Sequence, residues 1–353
     1  MTNTSFLLYG ANGYTGQLIL KLAADYGLNP VLAGRNKKEI ERLATTYNLP
    51  YHIANLEDPD QMAIALTGVS LLVNAAGPFS LTARPAIKHC LQHKVHYLDI
   101  TGEIPVFEMA KTYNKAAIAA NIMVLPGAGF DVVPTDCIAL FLKESLPDAH
   151  ALKLAFTSIG GGLSHGTATT MIEGLGEGGA ARVEGKIVTK PLGEKGMWVD
   201  FGEKKVFVMT IPWGDVSTAY TTTGIPNIET YTGISPNIYR ILKAQNLFNW
   251  LLRKDWIRHY LKNKIDKNPR GPSDEQRAKS KSLVWGQVTN MEGAQKTARI
   301  SCPDGYTLTA HTSLIIAKKI LNGNYKTGYQ TPAGAYGADL ILEVPRTHRE
   351  IVL

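Results

Sequence analysis

The sequence predicts an α/β protein, built as an N-terminal Rossmann-type doubly wound parallel sheet plus a second α+β domain with a mainly antiparallel sheet. Three observations carry that reading. Up to Pro134, short apolar runs alternate with segments of helical period. A glycine string, Gly10-Ala11-Asn12-Gly13-Tyr14-Thr15-Gly16, directly follows the first such run. Beyond Pro134 the alternation gives way to strand-like runs joined by turn residues. A chain of 353 residues has length for about two domains, each able to bury a core.

Residues 6–9, 30–33, 51–54, 70–74, 95–98 and 122–125 read as strands, and most intervals between them can hold a helix. Ser70-Leu71-Leu72-Val73 is apolar without alternation, as expected of a strand covered on both faces of a parallel sheet. The boundary is therefore placed after residue 134, with 135–330 as the second domain. There, 135–145 read as a helix, and 151–158, 182–190, 205–211, 217–223, 228–232, 282–289, 297–302 and 306–312 as strands. Asn290-Met291-Glu292-Gly293 and Pro303-Asp304-Gly305 have the composition of hairpin turns, and 237–264 read as a basic, aromatic helix.

The glycine string opens a helix through Leu18, Ile19, Leu22 and Ala23. Glycines at positions 10, 13 and 16 permit a tight strand-to-helix turn, backbone approach to a pyrophosphate and close helix–sheet packing. Residues 10–16 are thus candidate cofactor ligands: Gly10, Ala11, Asn12, Gly13, Tyr14, Thr15 and Gly16. At the end of the second strand, Ala33-Gly34-Arg35-Asn36-Lys37-Lys38 lacks the acidic residue that would hold the ribose hydroxyls of NAD. Arg35 can fork onto a 2′-phosphate instead, so the expected cofactor is NADP, with Asn36 beside it. Asn55, after the third strand, is a candidate adenine contact or a turn residue. The loop Asn74-Ala75-Ala76-Gly77-Pro78-Phe79 follows the fourth strand, so Ala76, Gly77, Pro78 and Phe79 should border the cofactor's second half.

Charge narrows the partners. The chain has 37 Lys and Arg against 30 Asp and Glu. Between positions 240 and 281, twelve basic residues meet four acidic ones, which leaves 25 against 26 elsewhere. A nucleic-acid binder spreads its cations over a face, so no nucleic-acid partner is expected. Residues 247–262 place Trp250, Trp256, Tyr260 and several leucines among Arg and Lys, a composition suited to a membrane surface, a lipid-like substrate, or a helix packed on its own sheet or on the partner of a homodimer. Cys90, Cys137 and Cys302 are dispersed, and His89, His93 and His96 lack acidic or thiol company, so no metal is expected. The dispersed thiols, and the absence of a signal-like start or a long apolar run, place the expected location in the cytoplasm or peripherally at a membrane.

Taken together, residues 10–16, Ala33-Gly34-Arg35, 74–79, Tyr97-Leu98-Asp99-Ile100-Thr101-Gly102-Glu103 and 127–136 resemble the saccharopine dehydrogenase-like oxidoreductases, and more narrowly the branch that includes the trans-acting enoyl reductases of mycobacterial lipid synthesis. The likeness extends to Ser164-His165-Gly166-Thr167 and to residues 331–337. It implies an NADP-dependent reductase whose C-terminal segment, 331–353, packs back on the first domain.

Hydride transfer needs a polarising or proton-donating group near the acceptor. Candidates are Glu103 after the fifth strand, which also reads as a helix cap, Asp131 in the loop after the sixth, which also reads as a turn residue, and His165 in the glycine-rich segment 160–167. Asp99 reads as a buried acceptor for backbone N–H groups, or as a site residue. The leading expectation is NADPH-dependent reduction of a C=C or related double bond in an apolar, lipid-like substrate. The alternatives are saccharopine dehydrogenase-type chemistry on an amino-acid C–N bond, and a non-catalytic NADP-binding peripheral membrane protein.

Overall fold

The computed structural model describes residues 5–160, 164, 169, 172, 176–245, 254, 256, 259, 260 and 271–352. They divide into two compact units, Met1–Val133 with Tyr306–Ala335, and Pro134–Gly305 with Tyr336–Leu353.

In the first unit, β1 (Ser5–Tyr9), β2 (Asn29–Gly34), β3 (Tyr51–Ile53), β4 (Leu71–Asn74), β5 (His96–Asp99), β6 (Met123–Leu125) and β15 (Gly328–Tyr329) form one sheet in the order 15-6-5-4-1-2-3. All its pairings are parallel. β4 and β5 are buried along their whole length, which is why Leu71-Leu72-Val73 of β4 runs apolar without alternation. The intervals hold α1 (Tyr14–Leu22), α2 (Lys37–Tyr47), α3 (Pro59–Ala65), α4 (Phe79–His93), α5 (Ile104–Lys111) and α6 (Asn114–Ala119). Strand order reverses between β1 and β4, where a doubly wound sheet opens a crevice at its carboxyl ends.

In the second unit, α7 (Val133–Ser145) leads into a mixed sheet of order 10-11-12-7-13-14-16 with β8 and β9 branching from β12. Its strands are β7 (Ala151–Ile159), β8 (Gly179–Val183), β9 (Lys186–Lys190), β10 (Gly196–Asp200), β11 (Lys205–Thr210), β12 (Asn227–Gly233), β13 (Lys281–Thr289), β14 (Gln295–Pro303) and β16 (His348–Val352). Pairings are antiparallel except β12 with β7. The hairpin at 290–293 forms as expected: Asn290 Oδ1 accepts from the amides of Glu292 and Ala294.

Four expectations need correction. Residues 182–190 are a hairpin rather than one strand, because Glu184 and Gly185 both take left-handed backbone conformations and reverse the chain. Residues 217–223 belong to a helix, Asp215–Thr223, despite their Thr and Tyr content. There Thr218, Thr221 and Thr223 direct their hydroxyls onto the carbonyls four residues back, and Gly224 closes the helix in the left-handed region. Residues 306–312 are likewise the start of a helix, Gly305–Leu321, whose burial overrides β propensity. Finally, of the segment 331–353 only Thr331–Ala335 belongs to the first unit, as the end of Tyr306–Ala335, whereas His348–Val352 pairs with β14 in the second sheet. Among the described residues no helix is long and apolar enough to cross a membrane.

Candidate functional site

The glycine string turns the chain from β1 into α1. Gly10 has φ +83° and donates its N–H to the Ala33 carbonyl at 2.9 Å. A Cβ on Gly10 would lie 2.8 Å from both the Cβ and the N of Ala76, and one on Gly16 would lie 2.3 Å from the Gly10 oxygen. The loops after β1 and β4 therefore touch at the strand-order reversal, and α1 starts directly on the sheet. Gly13, at the N-cap, brings no side chain to the first-turn amides of α1, which suits them to an anionic oxygen. Ala11 is buried; the Asn12 carbonyl accepts from Gln17 Nε2 at 3.0 Å, Tyr14 packs edge-on against Tyr306, and Thr15 lies in the first helical turn. This cradle, which side chains at 10 or 16 would fill, fits a dinucleotide pyrophosphate.

At the end of β2, Arg35 is exposed and forms no ion pair among the described residues. Burial pushes the Tyr9 phenol above its ordinary value, and the Arg35 charge acts against that rise. Asn36 caps α2 by accepting from the Glu39 amide at 3.2 Å, and Asn55 Oδ1 accepts from the Glu57 amide at 3.3 Å. Both residues shape their own turns.

The loops after β4, β5 and β6 are knitted by buried polar groups. Asn74 accepts from the Ala76 amide at 3.1 Å and donates to the Tyr97 hydroxyl at 3.3 Å. Tyr97 donates to Asp99 at 2.7 Å, and Asp99 also accepts from the amides of Thr101 and Gly127. Burial raises Asp99 to about 6, against those hydrogen bonds. Asp99 is therefore the scaffold of the site. Glu103 accepts from the amides of Phe79 at 2.9 Å and Ser80 at 3.1 Å, so both its oxygens cap α4 just beyond Gly77 and Pro78. Asp131 is different. It is half-buried, accepts no hydrogen bond among the described residues, and is raised to about 7 by burial and by the Glu103 charge. A carboxyl poised near neutral pH at the carboxyl edge of the sheet can give or take a proton.

His165 lies outside the described residues, as does most of 247–270. Of the basic stretch, Arg277 pairs with Asp274, Lys279 with Glu275, and Lys281 with Glu203. Two contributors were not legible in the sequence. Thr309 Oγ1 accepts from the Phe130 amide at 2.9 Å, and Thr312 donates to the Ala128 carbonyl at 2.6 Å. They fix the loop carrying Asp131 from the helix Gly305–Leu321, and the signal for them was that helix's long apolar continuation through residues 314–317.

Residues 6–125 match the saccharopine dehydrogenase NADP-binding domain. The chain is similar to a saccharopine dehydrogenase-like oxidoreductase of Rattus norvegicus, 22% identical over 201 residues, 50% of this chain and 47% of that one. It is also similar to a lipid droplet localized protein of Caenorhabditis elegans, 25% identical over 159 residues, 41% of this chain and 37% of that one. The matches thus span about half the length, or less, of these relatives. In fold, the chain resembles apo saccharopine dehydrogenase (L-Glu forming) of Saccharomyces cerevisiae, with TM-score 0.69 and 13% identity over 99% of this chain and 100% of that one.

Proposed function

We propose, from residues 6–125 as an NADP-binding domain of the saccharopine dehydrogenase type, that the protein is an NADP-dependent oxidoreductase working at the carboxyl edge of its parallel sheet. The observation that carries this is the contact of Gly10 with Ala76 where the strand order reverses. Bound NADP supplies or accepts the hydride. The chain's own residues do the rest. First-turn amides of α1 hold the pyrophosphate, Arg35 pairs with the 2′-phosphate, the 76–79 loop borders the reacting half, and Asp131 moves the proton.

Two substrate classes have support. The names of the rat relative and the yeast structure favour saccharopine dehydrogenase-type chemistry on an amino-acid C–N bond. The name of the nematode relative and the aromatic, cationic composition of residues 247–281 favour an enoyl or related double bond in a lipid-like substrate taken at a membrane surface. The buried arginines Arg182 and Arg277 are already engaged, Arg182 by the carbonyls of Val216 and Gly185 and Arg277 by Pro272 and Asp274. A substrate with several carboxylates would need other cations.

Fluorescence titration with NADPH and NADH tests the cofactor assignment; tighter NADH binding overturns it. Nucleotide turnover with saccharopine, set against NADPH consumption with enoyl thioesters, then selects the substrate class. Intact NADPH binding with turnover of neither would support a non-catalytic nucleotide-binding protein.

A further inference from the structure

We propose that Glu103 is a positioning residue that holds Asp131 as the proton-carrying member of a carboxylate pair at the carboxyl edge of the parallel sheet. Its catalytic meaning rests on the oxidoreductase reading above, but its physical test does not.

The pair is built asymmetrically. Both Glu103 oxygens receive amides from the first turn of α4, Phe79 to Oε1 at 2.9 Å and Ser80 to Oε2 at 3.1 Å. Two N–H donors and the positive end of a 15-residue helix favour the ionised form. The neighbouring residue, Gly102, is where Asp131 rests. A Cβ at 102 would lie 2.7 Å from Asp131 Oδ2 and 2.9 Å from its Cβ, so the missing side chain is what admits Asp131 beside Glu103. Asp131 receives no hydrogen bond among the described residues, and Glu103 is the charged group among them that acts on it. The third nearby carboxyl, Asp99, has its oxygens engaged by Tyr97, Thr101 and Gly127. One carboxylate is thus fixed as the anion and its neighbour is left to hold the proton.

During reduction, the substrate's double bond takes a hydride at one atom and the Asp131 proton at the other. The Asp131 O–H bond breaks, a new bond to hydrogen forms on the substrate, and water reprotonates the carboxylate. Glu103 acts on the proton transfer through Asp131. Because the amides it binds belong to the loop bordering the cofactor, it also ties that loop to the proton donor.

The test is a carboxyl carbon-13 NMR titration of the full chain, with Asp131 assigned by its loss in Asp131→Asn and Glu103 by its loss in Glu103→Gln. In the unmodified protein, Glu103 is expected to ionise first and Asp131 near neutral pH; the reverse order overturns the proposal without any variant having to fold. In Glu103→Gln, which keeps an acceptor for one α4 amide, the Asp131 midpoint should fall by about one pH unit. Glu103→Asp, which restores the charge, should recover most of the shift. An unmoved midpoint in Glu103→Gln overturns the proposal. The alkaline limb of the kcat/KM profile for NADPH oxidation should follow the same midpoints. A shifted midpoint without turnover sinks the oxidoreductase reading alone, and turnover with an unmoved midpoint sinks the positioning role alone.

Discussion

Arg35, Gly16 and Asp131 show how single residues set the site's chemistry. Arg35 has no ion-pair partner among the described residues, so its charge is available to a 2′-phosphate. A hydrogen-bonded charge pair contributes about 1.5–3 kcal/mol, so Arg35→Ala should weaken NADPH binding roughly ten- to hundredfold while NADH binding changes little. Fluorescence titration with the two nucleotides checks this. Gly16→Ala would place a Cβ 2.3 Å from the Gly10 carbonyl oxygen, which must push α1 off the sheet. Overpacking of this kind costs about 1–3 kcal/mol, and a urea melt should show it together with loss of NADPH binding. Asp131 makes a prediction about pH. Its carboxyl rises from 3.8 in the unfolded reference to about 7, so between those values the folded protein holds the extra proton. The stability it contributes is complete below the lower value and is lost as pH rises through the upper one. Asp99, raised to about 6, acts in the same sense, whereas His96, lowered to about 4 by burial, acts oppositely. Subtraction isolates Asp131: the Tm of Asp131→Asn relative to the parent should climb from about pH 4 to about pH 7 and level off above. A flat difference would contradict the raised value.

The helix Gly305–Leu321 is the element that the sequence concealed and the site depends on. Its first residues, Tyr306-Thr307-Leu308-Thr309, have the composition of a strand. In the structure Thr309 and Thr312 spend their hydroxyls on Phe130 and Ala128, and Tyr306 meets Tyr14 of the glycine loop at 5.1 Å between ring centroids. Thr309→Val keeps the shape and removes the hydroxyl that accepts from the Phe130 amide. A loss of about 1–3 kcal/mol in urea unfolding is expected, with faster amide exchange at Phe130 and a disturbed Asp131 titration. The Thr-rich helix Asp215–Thr223 follows the same physics, since hydroxyls that would suit a strand instead bond to carbonyls one turn back. Strands β1 to β6 and the hairpin at 290–293 needed no such help, because glycine turns and apolar runs of strand length point the same way as the final packing.

On the scale of the whole chain, Pro134–Gly305 of the second unit lies in sequence between β6 and the helix Gly305–Leu321, and Tyr336–Leu353 returns to the second unit, so the parallel sheet is completed by residues far apart in sequence. The net charge of +7 is concentrated between positions 240 and 281, and part of it, Arg277, Lys279 and Lys281, is paired within the fold. Cations at 253–270 are those proposed to meet an anionic surface. Reversing Lys262, Lys264 and Lys267 to Glu should abolish co-sedimentation with anionic vesicles while NADPH binding is retained. Binding that persists would remove the membrane proposal. The sequence by itself determined the parallel sheet, the glycine cradle and the place of Arg35, because each depends on neighbours in the chain: a strand, a glycine turn, a helix start. Only the tertiary structure decided that Glu103 caps α4, that Asp131 comes alongside it at Gly102, and that Thr309 holds the loop carrying Asp131. The physical reason is that a carboxyl's protonation depends on the donors, charges and burial brought around it by distant segments, none of which local spacing encodes.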